Sequence, residues 1–457
     1  MQNHPNKSQP KPISQTSRYL AVAILEKVEK NQSFSNVLLN ETVQGASLTP
    51  EDRAFLTELV YGVIQNKRLL DYQLEPFIKK QKKIDNWVKQ LLRLSLYQMT
   101  LLDKIPMHAV VNEAVRIAKK RGHKGTSGFV NGVLRSIDRD GTRLVSAIEN
   151  SDERLAIQYS YPDWIVDLLK EEIGIDETEK VLESLSSRAK LSLRVNTTLM
   201  KVTEVIKQLQ EEGFNVRQSE VAKDGLICEN GLPVQSSLFK EGIITIQDES
   251  SMLVAEAMQV EEGDRILDAC SAPGGKTTHM ATFLTKEAGG SVLALDIHAN
   301  KLKRVLENAD RLKVQDRVKV KEMDARESAD QLEHEQFDKI LVDAPCSGLG
   351  LMRRKPDIRY QKSMKDILSL QKVQGDILNS VAPLLKKGGR LIYSTCTITK
   401  KENDEVVKQF IKENPTFDLE PVYTHHEELA KSKEGFLHLY PHYYGTDGFF
   451  IASIRKR

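Results

Sequence analysis

The chain reads as a multidomain protein, with an all-α N-terminal region, a small α/β module and a C-terminal α/β domain built on a mostly parallel sheet. Three observations predict this. From about residue 15 to 140 apolar residues recur at helical spacing, with no strand-like alternation. Between about 145 and 245 short strand and helix patterns mix. From about 246 onward they alternate regularly, as crossover helices on a parallel sheet require. The 457 residues suffice for two to four domains, each with its own core. We place the boundaries at 1–14 (a disordered polar tail), 15–145, 146–245 and 246–457.

Composition narrows the class. Charged residues make up 28% and hydrophobic ones 40%, ordinary for a water-soluble chain. A net charge of +2 is close to neutral, so binding a polyanion would need local basic patches. The four cysteines are widely spaced, too few for a disulfide framework and without a Cys-x-x-Cys metal pattern. No apolar run reaches the ~18 residues of a membrane span, and the polar start carries prolines at 5, 10 and 12 instead of an apolar signal core. The expectation is a cytoplasmic monomer, with no membrane and no metal.

In the first region, Ser17–Lys30 sets Leu20, Ile24 and Val28 one turn apart. Thr49-Pro50 opens a second helix with a capping residue and a first-turn proline, its apolar face running through Phe55, Leu59, Val63 and Leu70. Asp85–Leu102 is strongly apolar, and His108–Arg121 and Thr126–Asp138 follow. Two basic clusters, Lys79, Lys80, Lys82, Lys83 and Arg116, Lys119, Lys120, Arg121, Lys124, suit either phosphates or solvated helix ends. In the module, helices start at Tyr161-Pro162-Asp163-Trp164 and span Glu177–Leu185 and Val202–Glu212, with strands at Leu191–Asn196 and Phe214–Arg217. This suggests a four-stranded RNA-recognition-like unit.

In the last region strands fall at Arg265–Cys270, Ser291–Asp296, Val318–Asp324, Phe337–Ala344 and Gly389–Cys396. Helices fall at Thr277–Phe283, Ala299–Leu312 and Ile367–Leu385, and Gly435–Tyr440 with Gly448–Ile454 reads as an antiparallel pair. The loop Cys270-Ser271-Ala272-Pro273-Gly274-Gly275-Lys276 follows the first strand, where ligands of open α/β sheets sit. It resembles a phosphate-binding loop, but Cys270 stands where that pattern needs glycine, and Pro273 removes a backbone donor. The acidic strand ends Asp296 and Asp324 would repel a triphosphate and suit a ribose diol and an adenine amine, and Asp343 is a third acidic strand end. S-adenosyl-L-methionine fits better than a nucleoside triphosphate, although strand-end turns and helix caps also use aspartate.

Two sets of motifs carry a resemblance. Pro106-Met107-His108-Ala109-Val110-Val111-Asn112-Glu113-Ala114-Val115 and Phe129-Val130-Asn131-Gly132-Val133-Leu134-Arg135 resemble the NusB-type RNA-binding domain. Asp268 through His279, Asp343-Ala344-Pro345-Cys346-Ser347-Gly348 and Tyr393-Ser394-Thr395-Cys396-Thr397 with Glu402-Asn403 resemble the Sun/RsmB family of bacterial ribosomal RNA cytosine-C5 methyltransferases. The likeness spans nearly the whole chain. It departs at Ser271, where relatives more often carry alanine, and at Thr397, where many carry serine.

The resemblance implies an all-α NusB-like domain, a Rossmann-like class I methyltransferase domain, S-adenosyl-L-methionine as donor and one cytidine of 16S rRNA as target. It makes Cys396 the nucleophile and Cys346 the residue that helps release product. It places the cofactor against Cys270, Ser271, Ala272, Pro273, Gly274, Gly275, Lys276, Asp296, Asp324 and Asp343, with Asp343 also supporting the cytosine ring. The chemistry is coherent, because a thiolate adding to C6 of a pyrimidine makes C5 nucleophilic. Cys228 reads as structural. Arg353, Arg354, Lys355 and Arg359, just past the Pro-Cys motif, read as a basic surface for the RNA backbone beside the active site. Two alternatives stay open, a non-catalytic RNA-binding or assembly factor and a P-loop hydrolase.

Overall fold

The computed structural model describes residues 12–31, 34–81, 83–426, 429 and 435–457. Most of the expected tail and Lys82 therefore lie outside the described residues, while Ile13–Gln15 form a 3-10 turn. The chain divides into two compact units, residues 1–171 together with 355–361, and residues 172–354 together with 362–457.

The first unit is helical, with helices Ser17–Asn31, Ser35–Gly45, Pro50–Gln65, Lys67–Ile78, Asn86–Thr100, Met107–Arg121, Lys124–Asp140 and Ser151–Gln158. Its core gathers Leu56, Leu59, Leu70, Leu92 and Leu134, all with no exposed surface. Thr49 caps its helix as the sequence predicts, accepting from Asp52 N. The sequence merges two helices here: Leu70 belongs to Lys67–Ile78, separated by Asn66 alone from the helix before it. Helix Ser35–Gly45 went unread because only Ser35 and Leu39 are buried, too few for a stripe.

The second unit holds two sheets. In the smaller, β1 (Leu191–Val195), β2 (Val216–Gln218), β3 (Gly225–Cys228) and β4 (Ile244–Ile246) pair antiparallel in the order β2-β3-β1-β4. In the larger, β5 (Arg265–Asp268), β6 (Ser291–Asp296), β7 (Val318–Glu322), β8 (Phe337–Asp343) and β9 (Leu385–Thr395) run parallel. β10 (Phe417–Glu420), β11 (Phe436–Leu439) and β12 (Phe449–Lys456) complete it antiparallel, with β12 against β9. The expected terminal pair is thus β11 and β12, and the unread β10 adds an edge strand.

The order β10-β12-β9-β8-β5-β6-β7 reverses direction between β5 and β8. That switch point is where loops diverge and leave a crevice at the strand ends. Cys270, Asp324, Ala344 and Cys396 all fall just past their strands instead of on them, which puts them in the loops that rim this crevice.

Candidate active site

The loop after β5 is built by its own sequence. Ser271 N and Oγ both bond Leu295 O of β6, at 2.8 and 2.9 Å. Gly274 sits at φ +98°, where a Cβ would come within 3.0 Å of Val305 Cα, so glycine is required. A Cβ on Gly275 would meet nothing within 4 Å, which leaves open space at the start of helix Gly275–Thr282.

A cavity forms against this loop. Its walls include Gln247, Asp268, Cys270–Pro273, Gly275, Lys276, Asp343, Cys396 and Phe449. Lys276 Nζ lies 2.7 Å from Asp343 Oδ2, and Ser394 Oγ donates to Asp343 Oδ1 at 2.8 Å. Burial works against the Lys276 charge, but Asp343 outweighs it and, with Cys396 and Asp268, holds the ammonium above its usual range. Burial pushes the Asp268 carboxyl up to about 7 against the opposing Thr277 hydroxyl bond. Gln247 was not anticipated. It is 8% exposed, its Nε2 donates to Ser251 O at 3.3 Å, and its buried Oε1 has no partner among the described residues.

The two cysteines that the sequence singled out meet. Cys346 Sγ and Cys396 Sγ stand 3.4 Å apart, fifty positions apart in the chain. The hydrogen bond to Cys396 and burial push the Cys346 thiol well above its usual range, and the charges of Cys396 and Glu402 add to the effect. Desolvation and the surrounding carboxylates Asp268, Asp343, Asp296 and Asp324 likewise push up the Cys270 thiol. Cys228 is buried, with Sγ on Asn230 O at 3.0 Å.

Asp296 and Asp324 are outside the cavity walls. Asp296 Oδ1 accepts from His298 N at 2.9 Å. Asp324 caps a 3-10 turn and binds Arg326 through both oxygens, Nη2 at 2.6 Å, which holds its carboxyl below the usual range. Ile297, next to Asp296, leaves 55% of its surface bare.

The basic surface expected after the Pro-Cys motif does not form. Arg353 is buried and pairs with Asp447 at 3.1 Å, while Arg354 pairs with Asp447 at 2.6 Å and Asp248 at 2.8 Å. Arg359 has no exposed surface and, inside the helical unit, donates to the carbonyls of Gln65, Tyr159 and Ser160 at 3.2 to 3.3 Å. Of the four, Lys355 alone is exposed. A run of like charges reads as surface only when its distant carboxylates and carbonyls are invisible.

Glycine turn, acidic strand ends and paired thiols on a parallel sheet define the class: a Rossmann-like methyltransferase carrying a helical domain of its own. Comparison with known proteins narrows the class. Residues 255–455 match the 16S rRNA methyltransferase RsmB/F family, 15–139 the NusB family, and 161–235 the ferredoxin-like domain of RsmF/B-like methyltransferases. The chain is 46% identical to the probable ribosomal RNA small subunit methyltransferase B of Bacillus subtilis over 96% of this chain and 98% of that one. It is 34% identical to the Synechocystis counterpart over 96% and 99%. Among solved structures, PH0851 superposes with a TM-score of 0.79 at 28% identity, covering 98% of this chain and 100% of the other. A methyltransferase homolog from Pyrococcus horikoshii covers 68% and 100%, at 30% identity and a TM-score of 0.57. The chain belongs to the ribosomal RNA small subunit methyltransferase B family, and S-adenosyl-L-methionine is its methyl donor.

Proposed function

We propose that the protein methylates C5 of one cytidine in 16S rRNA through a covalent bond between Cys396 Sγ and C6 of the base. The observation that carries the reading is the 3.4 Å approach of the Cys346 and Cys396 sulfurs in the loops beside the Lys276–Asp343 pair. The cofactor supplies an electrophilic methyl group on a sulfonium. We assign its site to Cys270 through Lys276 and to Asp296, Asp324 and Asp343. The open space at Gly275 fits such a ligand, and the lone Oε1 of Gln247 suits an N–H donor such as an ammonium or an exocyclic amine. An adenine amine reaches Asp324 only by displacing Arg326.

In this reading the Cys396 thiolate adds to C6, and the displaced π electrons make C5 the nucleophile that takes the methyl group. Asp343, held by Lys276 and Ser394, presents its carboxylate to the cytosine ring. Water takes the C5 proton, the C5–H electron pair re-forms the C5–C6 double bond, and the C6–S pair returns to Cys396. The Cys346 thiol, kept protonated by its surroundings, donates a hydrogen bond to the departing sulfur. Of the two basic clusters, Lys79, Lys80, Lys83, Lys119, Lys120 and Lys124 are exposed and can meet RNA phosphates. Arg121 is engaged with Glu26 at 2.6 Å, and Arg116 with Glu113 at 2.5 Å. A triphosphate-binding lysine would have to give up Asp343, which weighs against a hydrolase.

The test is a pair of substitutions assayed with unmodified 16S rRNA and labelled S-adenosyl-L-methionine. Cys396→Ala abolishes methyl transfer. Cys346→Ala accumulates an RNA–protein adduct that survives denaturing gels. An active Cys396→Ala enzyme, with no adduct from Cys346→Ala, overturns the assignment. Mapping 5-methylcytosine in rRNA from a deletion strain identifies the base.

A further inference from the structure

Glu402 is a carboxylate with no exposed surface and no ion pair among the described residues. Five hydrogen bonds hold it instead. Oε1 accepts from Ser347 N at 2.7 Å and Gln374 Nε2 at 3.2 Å. Oε2 accepts from Ser347 Oγ at 2.5 Å, Thr399 Oγ1 at 3.1 Å and Thr397 Oγ1 at 3.3 Å. Ser347 and Thr397 are the residues directly after the two cysteines, and their hydroxyls are 2.8 Å apart.

Its neighbours extend the clamp. Gln374 Nε2 also donates to Pro345 O at 2.9 Å, so the Cys346 loop is gripped on both sides of the cysteine. Asn403 accepts from Thr395 Oγ1 at 2.6 Å and donates to Thr397 O at 3.2 Å, gripping the residues on both sides of Cys396. Burying a carboxylate without a cation is costly. Five donors offset the cost, and their arrangement ties together two loops that no ladder of strand hydrogen bonds joins at this point.

We propose that Glu402 is a positioning residue for product release, setting the Cys346 thiol at hydrogen-bonding distance from Cys396. The proposal rests on the covalent route above. Its physical content is specific. Cys396 directly follows β9, whose ladders with β8 and β12 hold the chain up to Ser394 and Thr395. Cys346 lies beyond the end of β8, in a loop whose backbone bonds to the Cys396 side are at Ala344 and Gly350, so between them the buried clamp sets the position of the thiol. Loss of the clamp therefore moves Cys346 away from Cys396, and addition to C6 outlasts elimination. The Glu402 charge acts in the same sense, since it helps keep Cys346 protonated and able to donate.

Glu402→Gln keeps the volume but turns one acceptor into a donor. The hydroxyls can rotate to meet it, whereas the Ser347 N–H and the Gln374 amide cannot both be served if the amide faces them. The full-length variant is assayed with unmodified 16S rRNA and labelled S-adenosyl-L-methionine, beside Cys346→Ala. The expected result is turnover lower by about a hundredfold, with a denaturant-resistant adduct that already carries the label. Cys396→Ala in the same background erases the adduct. A loss of turnover without adduct, or turnover near the parental rate, overturns the proposal when Cys346→Ala does form adduct. Absence of adduct from Cys346→Ala refutes the covalent route and this inference with it. Should Glu402→Gln not fold, Ser347→Ala, which removes one hydroxyl donor and spares the backbone bond, must show a smaller accumulation of the same labelled adduct. Its absence counts against the proposal equally.

Discussion

At the scale of the residue, the buried ionisable groups set testable energies. Asp268 is a wholly buried carboxyl held at about 7, against an ordinary 3.8. A folded-state value above the unfolded one means that the folded chain binds more protons between those limits. The stability from keeping Asp268 neutral is full below about pH 3.8 and is lost as pH rises through about 7. Asp268→Asn therefore gains in urea midpoint relative to the parent between pH 5 and pH 8, taken on the order of the linkage window. A difference that stays constant with pH contradicts the assignment. Arg93 poses the opposite case. Its guanidinium has 1% exposure and is held by Asp71 at 2.7 and 2.8 Å and by Glu29 at 2.9 Å. Asp71→Ala leaves that charge half-paired, with an expected cost of roughly 3 kcal/mol, read from urea unfolding of the helical unit.

Elements meet at backbone distance beside the cysteines. Gly350 N donates to Cys396 O at 3.0 Å, and Gly448 N donates to Gly350 O at 3.0 Å. A Cβ on Gly350 would fall 2.0 Å from Gly448 O and 2.8 Å from Cys396 O. Both obstacles are backbone, so neither can rotate away. Gly350→Ala is expected to cost about 1–3 kcal/mol by overpacking. Because the displaced carbonyl belongs to Cys396, turnover should fall more than the melting temperature suggests. Thermal melting and methyl transfer measured on one preparation separate the two effects. Equal and small losses in both would show that the loops adapt.

At the scale of the whole molecule, the chain passes between its two compact units more than once. The chain leaves its second unit at residue 354, spends Lys355–Gln361 in the helical unit, and returns. Within that unit Asp357 accepts from Ser35 Oγ at 2.9 Å, and the Arg359 guanidinium lies 4.0 Å over the Tyr161 ring. The N-terminal helices alone are thus an incomplete unit. A fragment of residues 1–171 is expected to melt below the helical transition of the intact chain, followed by circular dichroism. Arg359→Ala in the full chain should lower the same transition, since buried carbonyls of Gln65, Tyr159 and Ser160 lose a donor. An unchanged transition in both would mean that the seven-residue segment contributes nothing.

Local pattern in the chain is enough for most helices of the first region, the parallel strands of the large sheet and the glycine turn, because each rests on contacts a few residues apart, but not for helix Ser35–Gly45 or the edge strand β10. The two cysteines, Lys276 and Asp343 were likewise legible as motifs. That the two cysteines lie close follows from the chemistry the motifs imply, but the geometry of their meeting does not. The 3.4 Å between sulfurs fifty positions apart, the Glu402 clamp and the Gln247 oxygen on the cavity wall arise where separate strands and loops converge. The arginines after Cys346 make the same point in reverse. Their charge suggested a solvent-facing patch, yet Arg353 finds Asp447 and Arg359 finds three carbonyls, partners many tens to hundreds of positions away. Local spacing sets secondary structure and motif chemistry, while desolvation and long-range pairing, which depend on the packed fold, decide which charges face solvent and which groups touch.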